Sequence, residues 1–463
     1  MIESVDPATG ERLARFPSST LDQVTAAVAA ARAVQPEWSG RAITERAALI
    51  RRWGEVVAAR QDEIVDVIHR ETGKIPGDAL GEVLDVVDGI GYHLDRARRQ
   101  ATEPLELPDE VFPATEATLS ARPYGVLGLI MPWNFPFYTP ALCLAPALLT
   151  GNAVVLKPSE HATMTGRLLR DLADRAGLPA ALFTVLPGGD DTGRHLVGAV
   201  DKVFFVGSAE AGRDVVRRAG LTPVSLELGG NSAAIVLPDA DLDLAAAAIA
   251  WGATYHCGQD CAGVKRVLAH RDVAEDLTGR IAAVLTGLVP GTDYGPYISR
   301  EARDRVEARL ADAVAHGAEL VLGGERPAGP PGDGNWLTPA LVRLRDQACE
   351  LVREETFGNV VPILAVEDDD AAVAAANESR LSLSAAVFGT DVDRAHRVAD
   401  RLEAGMVFIN DPIVNLPGAD HWTGWRDAGD SGLASRYEQC LRRRVTTVHT
   451  GGKPRDFWYA PPA

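Results

Sequence analysis

At 463 residues the chain is too long for one hydrophobic core and is expected to divide into two or three domains. Its 46% hydrophobic and 24% charged residues are those of an ordinary globular protein, and charges interrupt every apolar run before it reaches the length of a membrane span. A formal charge of −18 argues against nucleic acid and anionic membrane surfaces as partners. The N-terminus, MIESVDPATGERL, has no basic region followed by an apolar one, so no secretory signal is expected. Cys143, Cys257, Cys261, Cys349 and Cys440 are odd in number and scattered, which suits a reducing compartment; a cytoplasmic protein is expected. His256 lies beside Cys257, with Cys261 four residues further on, but no second ligand pair follows at zinc-site spacing, and no metal centre is expected.

Helical periodicity runs over residues 21–35 and 43–70, with Gly73 as the stop of the second helix. Residues 101–123 are Pro-rich and alternate polar with apolar, which by itself reads as a linker. From Tyr124 the pattern changes to short apolar runs: YGVLGLI, NAVVLK, KVFFV and VSLEL. Amphipathic stretches, Thr163 to Ala176 and Ala209 to Arg218, stand between them. Strands alternating with helices predict βαβ units and a parallel sheet. Gly207 and Ser208 follow KVFFV and open a helix, whose free N–H groups suit a pyrophosphate.

Beyond Asn231 a second α/β region is predicted to about Asn410. Its strands are expected at Ala234 to Leu237, Val264 to Ala269, Leu320 to Leu322, Val360 to Val366 and Met406 to Asn410. Residues 325–336 read as a surface turn, and no internal repeat is present. Arg442, Arg443 and Arg444 precede a β-branched run that reads as an edge strand needing a partner.

Two residues stand out chemically. Glu227 is the only charge in the apolar run Val224 to Leu228, and a carboxylate there is costly unless paired, protonated or used. Cys261 follows a Gly-bounded turn, a better place for a reactive thiol than a core face. They form a candidate base and nucleophile. Met131-Pro132-Trp133-Asn134-Phe135-Pro136 follows the YGVLGLI strand, and its two prolines hold the amide of Asn134 in a rigid turn. Lys157, Ser159 and Glu160 lie just past the NAVVLK strand, where ligands sit in open α/β sheets.

These segments resemble the aldehyde dehydrogenase superfamily: Leu226-Glu227-Leu228-Gly229-Gly230, Gly258-Gln259-Asp260-Cys261 at an interval of 34 residues from Glu227 to Cys261, the Asn134 motif, and Glu354-Glu355-Thr356-Phe357-Gly358. The resemblance covers nearly the whole chain, including Asp6 to Glu11 and Glu71-Thr72-Gly73-Lys74. It implies an α/β fold with a Rossmann-like NAD-binding domain (1–104 and 124–229), a second α/β catalytic domain (230–420) and a small β extension for oligomerisation (105–123 and 421–463). It implies Cys261 as nucleophile, Glu227 as general base and Asn134 as oxyanion donor in NAD-dependent oxidation of an aldehyde to an acid. Ile130, Pro132, Trp133, Lys157, Ser159, Glu160, Gly189, Gly193, Gly207, Ser208, Leu228, Glu355 and Phe357 would hold the cofactor, with Glu160 favouring NAD while leaving NADP open. A homodimer or homotetramer is implied.

Departures from the family pattern are Cys143 where many relatives have a lysine, Val206 where threonine is common, Asn359 for proline, and the irregular loop Leu416 to Trp422. Phe137, Tyr138, Tyr255 and Trp422 are candidates for an apolar substrate tunnel. Asp260 would attract an aminoaldehyde and repel a carboxylated one; an apolar or aromatic aldehyde is the other candidate. The rival functions are a catalytically silent scaffold on the same fold and a thiol esterase.

Overall fold

The computed structural model describes residues 1–97, 103–108, 112, 114–327, 334–412, 423–429 and 437–451. The runs at Val126–Met131 and Ala153–Pro158 are buried at every position, which is why they are continuously apolar instead of alternating. They are the inner strands of a five-stranded parallel sheet, flanked by Phe183–Val185 on one side and by Lys202–Val206 and Val224–Glu227 on the other. The chain lays down Val126–Met131 first, builds outwards to Phe183–Val185, then returns to the opposite side at Lys202–Val206. The reversal leaves a crevice beyond the carboxyl ends of Val126–Met131 and Lys202–Val206, the usual ligand position in such sheets.

A seven-stranded sheet makes the second layer. Its strand order is Glu319–Leu322, Ala340–Arg343, Val360–Val366, Arg266–His270, Ala233–Val236, Ser384–Phe388 and Met406–Ile409, parallel except for the first. Ala340–Arg343 and Ser384–Phe388 are additional to the strands expected from sequence. Residues 228–232 carry the chain from the edge of one sheet into the centre of the other. That crossing brings Glu227 beside elements of both.

The periodicity at 43–70 resolves into two helices, Ile43–Ala59 and Gln61–Thr72, broken at Arg60 with φ −118° and ψ 21°. Gly73 does end the second, in the left-handed conformation with φ 73°. Trp53, Ile50, Ile64 and Ile68 from these helices pack with Leu127 and Leu129 in the core of the first sheet. The edge strand Leu441–His449 pairs antiparallel with Thr115–Pro123, which in turn pairs with Glu103–Leu105. Within the stretch that reads as a linker, Glu103–Leu105 and Thr115–Pro123 are therefore strands. Among the described residues, no helix is long and apolar enough to cross a membrane, and no cluster of three metal-ligating side chains occurs.

Candidate active site

Helix Leu242–Thr254 ends in a turn, Tyr255–Gly258, that delivers Cys261. His256 (φ 47°) and Cys257 (φ 57°) are both left-handed although neither is glycine, and Gly258 continues the bend at φ 67°. Side chains in this region are strained, and the surroundings must hold them there. The main-chain N–H of His256 donates to Asp78 (3.1 Å), and the His256 carbonyl accepts from the Gln259 N–H (3.0 Å). A methyl group on Gly258 would collide with the Gly358 carbonyl, so this glycine is needed for the turn before Cys261 to touch the segment carrying Glu355.

Asn134 reaches the same turn from the first sheet. Its Nδ2 donates to the Gln259 carbonyl at 3.1 Å, two residues before the thiol. Trp133 meets Phe357 edge-on at 5.7 Å, and Phe135 stacks on Tyr255 at 6.2 Å, so aromatic contacts grip Asn134 on both sides. Glu82, paired with Lys74 at 2.6 Å, accepts the N–H groups of Phe137 and Tyr138 at 3.1 and 2.9 Å. This buried pair fixes the start of helix Tyr138–Leu149 directly behind the Asn134 turn.

Glu227 is the last residue of the edge strand Val224–Glu227 and is buried. The Gly229-Gly230 pair after it is required sterically. A methyl group on Gly229 would strike the Glu355 carboxylate, and one on Gly230 would strike the Cys261 carbonyl. The Gly230 N–H donates to Glu355 Oε1 at 3.1 Å. The end of the Glu227 strand, the Cys261 turn and the Glu355 segment therefore meet at one point.

Charge at that point opposes ionisation. Burial pushes the Cys261 thiol well above its ordinary range, with Asp260, Glu355 and Glu227 adding to the rise and Lys265 opposing it. Burial likewise raises the carboxyls of Asp260 and Glu355. Asp260 accepts the Ala262 N–H at 3.0 Å, which caps the turn after the thiol.

A cleft of about 640 Å³ opens at the reversal point of the first sheet. Ile130, Pro132, Trp133, Lys157, Ser159, Gly193, Gly207 and Ser208 line it, together with Val206. Ser208 caps helix Ala209–Ala219, whose start lies on this cleft and offers first-turn N–H groups suited to an anion. Burial lowers the Lys157 ammonium, while Glu160, 3.6 Å away, and Asp190 oppose that shift. Burial alone would raise the Glu160 carboxyl, but Lys157 and the other contacts hold it below its usual value. Gly189 precedes helix Asp190–Val197, and Leu228 packs against Gly212 instead of lining the cleft. An adjoining cleft of about 690 Å³ shares Ser208 and Glu210 and includes Glu355. An anion-binding helix start, a buried cation and space in the usual range for such sites fit a dinucleotide.

Among the tunnel candidates, Tyr138 and Tyr255 lie against Phe135, whereas Phe137 is fully buried in the core and lines no surface. Trp422 and the loop Leu416 to Trp422 lie outside the described residues. Asn359 has a defined role: it accepts from the Tyr297 hydroxyl at 2.6 Å and donates to the Leu337 carbonyl at 3.2 Å, in place of a rigid proline. Lys74, Asp78, Glu82 and Lys265 are site residues that sequence reading missed. Only Lys74 carried a signal, as the end of the Glu71 to Lys74 motif.

The geometry defines an α/β oxidoreductase with a thiol, a carboxylate and a dinucleotide cleft. The sequence profile of the aldehyde dehydrogenase family matches residues 1–444, and the chain belongs to that family. It is an NAD(P)-dependent enzyme acting on an aldehyde. The chain is 36% identical over 459 residues to the 3,6-anhydro-alpha-L-galactose dehydrogenase of Streptomyces coelicolor, covering 96% of this chain and 92% of that protein. It is also 36% identical to the NADP(+) succinate-semialdehyde dehydrogenase of Deinococcus radiodurans, covering 96% and 95% respectively. Betaine aldehyde dehydrogenase from Staphylococcus aureus, solved with NAD+, superposes with a TM-score of 0.94 at 28% identity, covering 99% of this chain and 93% of that one. Lactaldehyde dehydrogenase from Escherichia coli superposes at 0.91 with 32% identity, covering 97% and 96%.

Proposed function

We propose that Cys261, Glu227 and Asn134 oxidise an aldehyde to a carboxylic acid through a thioester. The Cys261 sulfur, once ionised, adds to the carbonyl carbon and leaves an oxyanion. Asn134 Nδ2, released from the Gln259 carbonyl, and the Cys261 main-chain N–H donate to that oxygen. Lys157, Glu160, Ser208 and Glu355 would hold a nicotinamide dinucleotide, which when bound would accept the hydride leaving the former aldehyde carbon, so that the adduct becomes a thioester. Glu227 takes a proton from water, the resulting hydroxide attacks the thioester carbon, and the C–S bond breaks to give acid and free thiol. The observation that carries this reading is the contact of Gly230 with the Cys261 carbonyl, which sets the end of the Glu227 strand against the nucleophile turn.

Named substrates of the relatives include a carboxylated aldehyde, betaine aldehyde and a sugar aldehyde, so ancestry does not select one. Local charge favours an aldehyde bearing an ammonium group. Burial raises the phenols of Tyr138 and Tyr255, and the carboxylates that raise them further include Asp85 for Tyr138, Asp78 for Tyr255, and Asp260 for both. Lys74 is neutralised by Glu82. The pairing of Lys157 with Glu160 supports NAD over NADP, because a carboxylate accepts a free ribose hydroxyl and repels a phosphate. The strand Leu441–His449, exposed along most of its length, supports a homo-oligomer built through that edge.

An aldehyde panel followed by NADH or NADPH absorbance, with mass spectrometry of the protein, tests the proposal. It expects an acyl adduct on Cys261, no turnover by Cys261→Ala, and kcat/KM for 4-aminobutanal about tenfold above butanal and further above succinic semialdehyde. The preference over butanal should shrink in Asp85→Asn and in Asp260→Asn. Full activity in Cys261→Ala would refute the mechanism, and equal values for the three aldehydes would refute the substrate assignment.

A further inference from the structure

Lys265 is a buried cation for which the chemistry above has no use. It stands four residues after Cys261, immediately before the strand Arg266–His270. Its main-chain N–H donates to the Ser232 carbonyl at 3.0 Å, which pins its backbone to the segment following the Gly229-Gly230 pair. Its ammonium donates to the Gly258 carbonyl at 2.6 Å and lies 5.1 Å from the centre of the Phe357 ring. Gly258 itself is pressed against Gly358. The ammonium therefore sits where the thiol turn touches the segment that carries Glu355.

A lysine this deep ordinarily has a carboxylate partner. Among the described residues Lys265 makes no ion pair; a carbonyl and an aromatic face are its close contacts. Burial lowers it, and Glu355, Asp260, Cys261 and Cys257 counter that shift. The groups acting on the Cys261 sulfur from each neighbouring element are Asp260 on its own turn, Glu227 at the strand end, Glu355 across the cleft, and Lys265. Of these four, Lys265 alone opposes the rise of the thiol. Cys143, where the family resemblance leads one to expect a lysine, is buried in the core of the first sheet.

We propose that Lys265 is a positioning residue for the Cys261 nucleophile: its ammonium holds the Gly258 carbonyl and is the positive charge that lets the sulfur ionise among Asp260, Glu227 and Glu355. This rests on the reading of Cys261 as the nucleophile. Two functions are combined in one side chain, and substitution separates them. Glutamine keeps a hydrogen-bond donor and loses the charge, whereas arginine keeps the charge.

The test is the rate of Cys261 alkylation by iodoacetamide against pH in the full chain, located by peptide mass spectrometry with Cys261→Ala as the blank. Lys265→Gln should move the midpoint of thiolate formation up by about one pH unit, slowing alkylation about tenfold at pH 8, because loss of a nearby opposite charge shifts a thiol by that order. Lys265→Arg should restore most of the rate. The kcat profile of Lys265→Gln should move to higher pH by the same amount, with KM for the aldehyde little changed. A glutamine variant that melts like the parent and alkylates with an unaltered pH profile overturns the proposal; if glutamine fails to fold, an arginine variant displaced as far as Lys265→Met does so. Undiminished aldehyde oxidation by Cys261→Ala would instead overturn the underlying assignment, and the alkylation profiles would still report the influence of Lys265 on the sulfur.

Discussion

Asn134 is held ready by its bond to the Gln259 carbonyl, so its removal should cost transition-state stabilisation with little change in fold. Asn134→Ala is expected to lower kcat by roughly 100- to 1,000-fold, about 3–4 kcal/mol, at an unchanged melting temperature. A drop confined to KM would show that the amide binds substrate and not the developing oxyanion. The adjacent glycines make separable predictions. Gly229→Ala should displace Glu355 and raise KM for the dinucleotide, while Gly230→Ala should push the Cys261 carbonyl and Leu383 apart and abolish turnover. Steady-state constants for both variants check this, and matching defects in the two would contradict it. These residues were legible in sequence because strand ends and glycine turns mark them. Lys265 was not, since a Lys-Arg pair before an apolar run also describes an ordinary surface, and Asp78 acts through the main chain of a residue 178 positions away.

Elements with an unbroken apolar run were readable because strands covered on both faces cannot afford polar residues. Ser384–Phe388 escaped notice because SAAVF is small and weakly β-prone; its two parallel neighbours, Ala233–Val236 and Met406–Ile409, make it a strand. The break at Arg60 carries neither glycine nor proline, and the left-handed pair His256–Cys257 has no glycine to announce it. Helix Pro76–Ala97 holds two further tests. Glu82→Ala would leave Lys74 buried without its partner and should destabilise the protein by about 3–5 kcal/mol, whereas the paired change Lys74→Met with Glu82→Leu should cost less, keeping only the loss of the Phe137 and Tyr138 N–H acceptor. Denaturation midpoints decide between them.

His93 on that helix is fully buried, and neither ring nitrogen has a hydrogen-bond partner among the described residues. Burial lowers it to about 4, against the opposing charge of Glu438. The unfolded chain therefore binds a proton that the folded chain refuses between about pH 6.5 and 4. Stability from His93 is complete above that window and falls by roughly 3 kcal/mol as pH drops through it. Asp78 and Asp85, both raised to about 6 by burial, act in the opposite sense over part of the same range, so the comparison must be made between variants. His93→Phe should melt less steeply with acid than the parent from pH 7 to 5; identical slopes would contradict the assignment.

For the whole molecule, two sheets joined through Leu228 to Ser232 explain how residues remote in sequence share one site. Family and layer order were readable from motifs spread along the chain, but the charge balance of the site emerged only when the two sheets were placed together. The paired strands Thr115–Pro123 and Leu441–His449 leave Val445 and Val448 exposed at 58% and 51% on an outer edge. If the chain assembles through that edge as proposed, Val445→Glu with Val448→Glu is expected to lower the mass of the parent assembly to that of a monomer by light scattering; an unaltered mass would refute assembly through that edge.

The central claim is that a sulfur attacks and a carboxylate finishes the reaction, and stopped-flow absorbance of Glu227→Gln with aldehyde and NAD separates the two. The account predicts a burst of one NADH per active site, then near-silence, with an acyl group retained on Cys261 in the quenched protein. Steady turnover at the parent rate, or no burst and no acyl group despite a reactive Cys261 thiol, would contradict it.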